Sequence, residues 1–365
     1  MKVGYFSPLP PARTGVADYA SALLHALRRV STVEVNASRP DVNLYHVGNN
    51  QLHREIYRRA IEHPGVVILH DAVLHHFYLG AFERDAYVDE FVYNYGEWMR
   101  QRAAELWKRR ARSAADAEYF AFPMLKRLAE RSLAIVVHNP SASAAVKKHA
   151  PDARVVEIPH LYAGAPATDR DDVDRVRQTL GVSQRGFLFG IFGHLRESKR
   201  IASVVRVFEA LQDQMPDATL LLSGDCVSTD LKRALEPCAK NPRIRRTGFL
   251  QDRAFWTHAR ATDACINLRY PSAGETSGIA VRFMGIGKPV MLSDGPEVSH
   301  IPQSACLRVD TGLREEPMVA EYMVWLNSFR RDAAEIGSRA AAHIAAHHSL
   351  ESIAQQYQEV LQSVA

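Results

Sequence analysis

The stretch 187–211, FLFGIFGHLRESKRIASVVRVFEAL, reads as one repeat of an open parallel α/β sheet. Residues 187–192 are an unbroken apolar run, as expected of a strand buried on both faces. A glycine-led loop follows, and from about residue 201 the apolar residues return at helical spacing. In such sheets ligands gather beyond the carboxyl ends of the strands, where loops run into helix starts with free N–H groups. His194, Arg196, Lys199 and Arg200 concentrate positive charge in that loop, which suits a diphosphate leaving group. The plain alternative is a solvated basic loop.

The same rhythm extends in both directions. Apolar runs at 3–6, 42–47, 66–69 and 134–137 each precede a helix-like segment, and the pattern restarts at 187–192, 220–223, 264–268 and 289–293. Between the two series lies AGAPATDRDD (163–172), small, polar and turn-forming, which places a linker at about 163–171. A chain of 365 residues with 47% hydrophobic side chains suits two cores. The expected domains are therefore 1–165, with a helical stretch at about 82–132, and 166–347, followed by a last helix in 348–365. Further helices are expected over 313–347 and 349–364.

Composition narrows the function. A net charge of +4 is far short of a nucleic-acid footprint. The four cysteines show no zinc or disulfide spacing and read as buried thiols in a reducing cytoplasm. MKVGYFSPLPP lacks the apolar run of a signal peptide, and no stretch approaches a membrane span, so a soluble cytoplasmic protein is expected.

Other strand ends carry candidate chemistry. SPLPPARTGVADYASALL (7–24) is a proline-rich turn delivering Gly15 to a helix start, where backbone N–H groups can approach an anion; Asp18 suits the helix dipole. It is not GxGxxG, which counts against a nicotinamide enzyme. VVILHDAVLHHF (66–77) puts His70 and Asp71 at a strand terminus, where an imidazole titrating near neutrality would orient a sugar hydroxyl, unless it is hydrogen-bonded structure only. His75 and His76 lack a matched carboxylate for a metal.

In LRYPSAGETSGIAVRFMGIGKPVMLSD (268–294), Glu275, Thr276, Ser277 and Gly278 lead into an apolar helix. They expose amides and a carboxylate to sugar hydroxyls, or Glu275 simply serves the helix dipole. DRDDVD (169–174) has a metal-like acid spacing but reads as helix capping. MRQRAAELWKRRARS (99–113) is either a solvated helix face or a peripheral contact with anionic lipid at the inner face of the plasma membrane. His343, His347 and His348 read as surface residues.

Taken in order, SPLPPARTGVADY, HDAVLHH, VVHNPSASAAV, GHLRESKR, TGFLQD, NLRYPSAGETSG and GIGKPVMLSD resemble the family 4 retaining glycosyltransferases, in particular bacterial members acting in surface-polysaccharide or glycolipid assembly. The resemblance spans nearly the whole chain. It implies the α/β GT-B fold: two Rossmann-like domains facing a cleft, with the C-terminal helix crossing back to the first. It also implies a UDP- or GDP-linked sugar donor, a saccharide or lipid-linked acceptor, and no metal or other cofactor. Gly15 matches a glycine beside the donor phosphates, and His70 the histidine near the transferred sugar. Lys199, with His194 where many members have arginine, matches the diphosphate site. Glu275 matches the first acid of the Glu-x(7)-Glu signature, with Thr276 to Gly278 lining the sugar and phosphate site. Thr247 and Phe249 fall where the base binds.

The second signature acid falls at Phe283 by count or at Arg282 by matching the GIGKPV tail, and neither is acidic. Ribose recognition must then use another group. Rival readings are a sugar-nucleotide epimerase of the same fold and a non-catalytic nucleotide-sugar-binding scaffold, with a nicotinamide oxidoreductase last.

Overall fold

Residues 66–69 (VVIL) and 134–137 (AIVV) have no polar face, so strands made from them must be covered on both sides. A computed structural model describing residues 1–365 shows how. Strands β1 (Lys2–Phe6), β2 (Thr32–Val35), β3 (Val42–Val47), β4 (Val66–Leu69), β5 (Ala134–Val137) and β6 (Val155–Glu157) form a parallel sheet in the order β2-β1-β3-β4-β5-β6. Alternate residues serve opposite cores. Val67, Leu69, Ile135 and Val137 face one apolar cluster, and Val66, Ile68, Ala134 and Val136 the other.

A second parallel sheet contains β7 (Phe187–Phe192), β8 (Ala218–Ser223), β9 (Ile244–Arg246), β10 (Ala264–Asn267), β11 (Val290–Ser293) and β12 (Leu307–Val309), in the order β12-β11-β10-β7-β8-β9. The short strands β2, β6, β9 and β12 escape an apolar-run reading because a charged residue interrupts or ends each of them (TVEV, VVE, IRR, LRV).

The chain divides into two compact units, Met1–Ala163 with Pro271–Gly278 and His348–Ala365, and Gly164–Tyr270 with Ile279–His347. The segment Pro271–Gly278, internal to the second domain by sequence, thus groups with the first. Asp169 caps the helix Arg170–Thr179 through the Asp171 amide.

Within the first unit, the helix Gly15–Leu27 is capped by the Thr14 hydroxyl, which accepts from the Ala17 amide. The C-terminal helix Leu350–Gln362 packs against it, burying Ile353, Tyr357 and Leu361, and the Tyr357 and Tyr19 hydroxyls meet at 2.8 Å. The stretch 82–132 is three helices, Arg84–Tyr95, Arg100–Arg109 and Lys126–Arg131, joined by 3-10 turns and loop. Gly96, at φ +94°, ends the first of them. Tyr87, Phe91, Leu106 and Tyr119 anchor this stretch in the first core.

Three of its arginines are ion-paired locally: Arg100 with Asp89 and Glu97, Arg102 with Glu105 and Glu118, and Arg109 with Glu118. These pairs lie on the exposed side of the stretch, while Arg110 stacks on the Trp107 ring. No helix is long and apolar enough to cross a membrane.

Three expectations need correction. The helix expected over 313–347 breaks at Phe329, whose backbone (φ −113°, ψ 62°) leaves the helical region, giving Glu315–Ser328 and Arg330–His347. His348 is buried just beyond the second of these and donates from Nδ1 to the His160 carbonyl. Cys226 is part-exposed, unlike Cys238, Cys265 and Cys306, and all four thiols are free.

Candidate functional site

Strand order fixes where each sheet can hold a ligand. In the second sheet the order reverses between β7 and β10, and in open parallel sheets the carboxyl ends at such a reversal are where ligands bind. Those loops are 193–200 and 268–278, the two richest in predicted site residues. The Tyr270 amide ties them together by donating to the Ser198 carbonyl at 2.7 Å. Gly224, at the end of β8, admits no side chain, since a Cβ there would lie 2.1 Å from the Gly193 carbonyl oxygen.

Lys199 is 4% exposed, and its ammonium donates to the carbonyl of Phe192, the last residue of β7. Its charge is therefore held at the strand end instead of waving in solvent. His194 is half-buried in the same loop. Arg200 belongs elsewhere: its Nε sits 2.7 Å from the fully buried carboxylate of Glu315, so it does not add to the loop's free charge. At the β8 and β9 ends, the Thr247 and Ser223 hydroxyls are 3.1 Å apart, and the Phe249 amide donates to Asp225 at 3.2 Å while its ring is exposed.

The resemblance set a second signature acid at Phe283 or at Arg282, and the two differ in setting. Phe283 is fully buried and packs against Phe192 and Phe255, with ring centroids 4.8 and 6.4 Å away. The neighbouring Arg282 lies over the Phe255 ring at 5.3 Å. Phe283 is therefore hydrophobic core, whereas Arg282 is part-exposed.

In the first sheet the order reverses between β1 and β3. Gly15 opens the helix after β1, in open space, with nothing within 4 Å of where a Cβ would stand. His70 follows β4, half-buried, and it is not alone. His46 lies on β3, His138 follows β5 and His160 follows β6, so four adjacent strands carry a histidine at the same edge. The His46 Nδ1 and His70 Nε2 are 3.0 Å apart. Tyr19 presents its ring to His70, His138 and His160, with centroids 5.0, 5.1 and 4.8 Å away.

The tautomers of three imidazoles follow from their partners. Nδ1 of His53, His138 and His160 each lies 2.9 Å from a backbone carbonyl, of His46, Ile158 and Leu161. A carbonyl only accepts, so each ring carries a proton on Nδ1, and His53 and His138, which burial keeps neutral, have a lone pair at Nε2. Burial holds His46 and His70 well below the usual imidazole range, with neighbouring imidazoles adding to the effect, and lowers His53 and His138 to about 4. His70 therefore stays neutral at physiological pH, which corrects the expectation of titration near neutrality. It is a hydrogen-bonding group, not a proton reservoir.

His75 is also structural, buried among aromatic rings with Nε2 2.8 Å from the Tyr87 hydroxyl. No cluster of three or more histidine, cysteine or acidic side chains has the geometry to hold a metal ion.

Glu275, Thr276, Ser277 and Gly278 sit with the first unit. The Glu275 Oε2 accepts from the Ala273 amide at 2.9 Å, so the carboxylate folds over its own loop. The structure thus gathers His70 and Glu275 to Gly278 in one unit, and His194, Lys199, Thr247 and Phe249 in the other. The sequence reading missed His46, His138, His160 and Asn139, although a histidine recurs at strand ends in LYHV (44–47), VILH (67–70), VVH (136–138) and IPH (158–160).

Full-length likeness to solved structures decides the architecture. Sucrose-phosphate synthase of Thermosynechococcus elongatus superposes with a TM-score of 0.69 at 15% identity, covering 100% of this chain and 98% of that one. HepE of Anabaena, solved with UDP-glucose, gives 0.65 at 16% identity over 100% of both chains. The chain has the GT-B fold. A third GT-B structure, WaaG, a glycosyltransferase involved in lipopolysaccharide biosynthesis, gives 0.65 at 13% identity over 99% of each chain. No protein-family model matches the chain, and no curated protein matches its sequence. The strand-order reversal at β7 and β10 is the place at which an open parallel sheet of this order admits a ligand.

Proposed function

We propose that the chain is a retaining, metal-independent glycosyltransferase that moves a sugar from a UDP- or GDP-linked donor to a saccharide or lipid-linked acceptor in cell-surface polysaccharide assembly. The observation that carries the proposal is Lys199 held at the carboxyl end of β7, at the strand-order reversal of a GT-B chain, with the 268–278 loop leaving the adjacent β10. The GT-B structures that resemble it include one bound to UDP-glucose and one glycosyltransferase of lipopolysaccharide synthesis.

Transfer breaks the anomeric C–O bond. Its electron pair leaves on the diphosphate, and oxocarbenium character develops on the sugar. The acceptor oxygen forms the new bond on the same face, and its proton passes to the departing diphosphate oxygen. Lys199, His194 and the amides of Gly15 and Ser277 to Gly278 supply the stabilisation of the leaving group, worth several kcal/mol as preorganised charge and dipoles. Glu275 and neutral His70 hold sugar hydroxyls, and Thr247 and Phe249 receive the base.

A thermal-shift panel of UDP- and GDP-sugars tests this reading. At 100 Kd a bound donor stabilises the folded chain by about 2.7 kcal/mol, a readily measured rise in melting temperature. A chain that no sugar nucleotide stabilises is not this enzyme. NMR of the stabilising donor with acceptor should then show a product of unchanged anomeric configuration; turnover of donor alone to a new sugar would assign the chain to the epimerases instead.

A further inference from the structure

Asn139 is 2% exposed and stands between β5 and the helix Pro140–His149. Its two side-chain atoms do different things. The Oδ1 accepts from the Ala142 amide at 2.9 Å and caps the helix. The Nδ2 turns the other way and donates to the Gly274 carbonyl at 3.0 Å and the Thr276 hydroxyl at 3.1 Å. The helix needs only an oxygen at this place, which aspartate or serine supplies equally well. The amide nitrogen is therefore surplus to capping, and both its bonds go to the loop that bears Glu275.

That loop is pinned at two further points on the same sheet edge. Gly274 has φ +72°, and a Cβ on it would stand 2.8 Å from the Cβ of Ala72, two residues after His70. A Cβ on Gly278 would stand 3.2 Å from the His160 Nε2. Residues 274–278 thus lie along the ends of β4, β5 and β6, and Asn139 makes the side-chain hydrogen bonds in the middle of the run. The Thr276 hydroxyl, 3.4 Å from the His138 carbonyl, can donate there while accepting from Asn139.

We propose that Asn139 is the positioning residue of the 271–278 loop, fixing where Glu275 and Thr276 meet the donor sugar. The inference rests on the reading that this loop receives the donor. Asn139→Asp separates its two duties: the cap survives, while a carboxylate oxygen replaces the donor facing the Gly274 carbonyl and Thr276 hydroxyl. Thr276→Val removes one acceptor, and Thr276→Ser restores it.

Hydrogen exchange followed by mass spectrometry on the full chain tests the placement without reference to activity. In Asn139→Asp, amides of 271–278 should exchange on the order of tenfold faster, with those of 140–149 unchanged because the cap remains. Unchanged exchange in 271–278 overturns the proposal.

Steady-state kinetics with the stabilising sugar nucleotide then tests its purpose. Asn139→Asp and Thr276→Val should each raise the donor KM or lower kcat on the order of tenfold, the double variant should cost no more than the worse single one, and Thr276→Ser should recover most of the loss seen in Thr276→Val. A faster-exchanging loop with unchanged kinetics overturns the positioning role while leaving the glycosyltransferase reading intact. A wild-type chain that neither binds nor turns over any sugar nucleotide overturns that reading, and exchange alone then decides whether Asn139 places the loop.

Discussion

The two sheets share a strand count and direction but differ in what they set at their carboxyl edges. The first sets imidazoles, His46, His70, His138 and His160, which burial keeps neutral where a shift is resolved, at His46, His70 and His138. The second sets a fixed cation, Lys199, close against the end of β7. Neutral rings with lone pairs and N–H groups suit hydroxyls, whereas a buried ammonium suits a phosphate whose charge grows as a bond breaks. The proposed transfer needs both chemistries, and the comparison predicts which variant damages which.

The largest effect should come from the charged edge. Lys199→Met keeps most of the volume and removes the charge, so kcat with a sugar nucleotide should fall by about 10²–10³, comparable with deleting one strong donor to a developing oxyanion. A melting curve alongside the kinetics separates catalysis from folding. His70→Gln retains hydrogen bonding in a neutral group and should cost less. If it costs more than Lys199→Met, the division of labour between the edges is the wrong way round.

The neutral edge should reveal itself in stability against pH. His53 and His138 have folded pKa values of about 4 against about 6.5 in the unfolded chain. Above pH 6.5 both states hold them neutral and nothing is lost. As pH falls from 6.5 to about 4, the unfolded chain takes up protons that the folded chain refuses, and stability drops; below about 4 the loss is complete. Each ring accounts for about 3 kcal/mol at most across that window. His138→Asn keeps the bond to the Ile158 carbonyl and removes the titration, so urea midpoints measured from pH 7 to pH 4 should fall less steeply than in the wild type. An identical slope would mean that His138 is not held neutral.

Legibility followed the continuity of the signal. Unbroken apolar runs such as 187–192 and 66–69 stood out because both faces of those strands are buried, and the strand–loop–helix rhythm implied the α/β class. Three-residue strands such as Ile244–Arg246 carry no periodicity to read, and the break at Phe329 is a backbone change inside an otherwise helical pattern. Lys199 was legible because charge, glycine and strand end coincide in one loop. The histidine edge was not, although its residues are plain in the sequence: each stands alone on its own strand, and only the strand order makes them neighbours. Asn139 was hidden differently, since Asn-Pro at a helix start is fully accounted for by capping until the second half of its amide is placed. That neither Phe283 nor Arg282 is acidic is plain in the sequence, but only packing shows Phe283 to be core.

The smallest expected effect lies at Gly15, where the two edges can be told apart most cleanly. Its Cβ position meets nothing within 4 Å, the residue opens a helix already capped by Thr14, and alanine is the better helix former. Gly15→Ala should therefore leave the melting temperature unchanged or raise it slightly, by less than about 1 kcal/mol of stability. If the diphosphate approaches the helix start here, the added methyl should raise the donor KM a few-fold while kcat stays near wild type, because the obstruction acts on binding before charge develops. An unchanged KM removes Gly15 from the phosphate site and leaves the diphosphate wholly to the Lys199 edge, with the first sheet reading only the sugar.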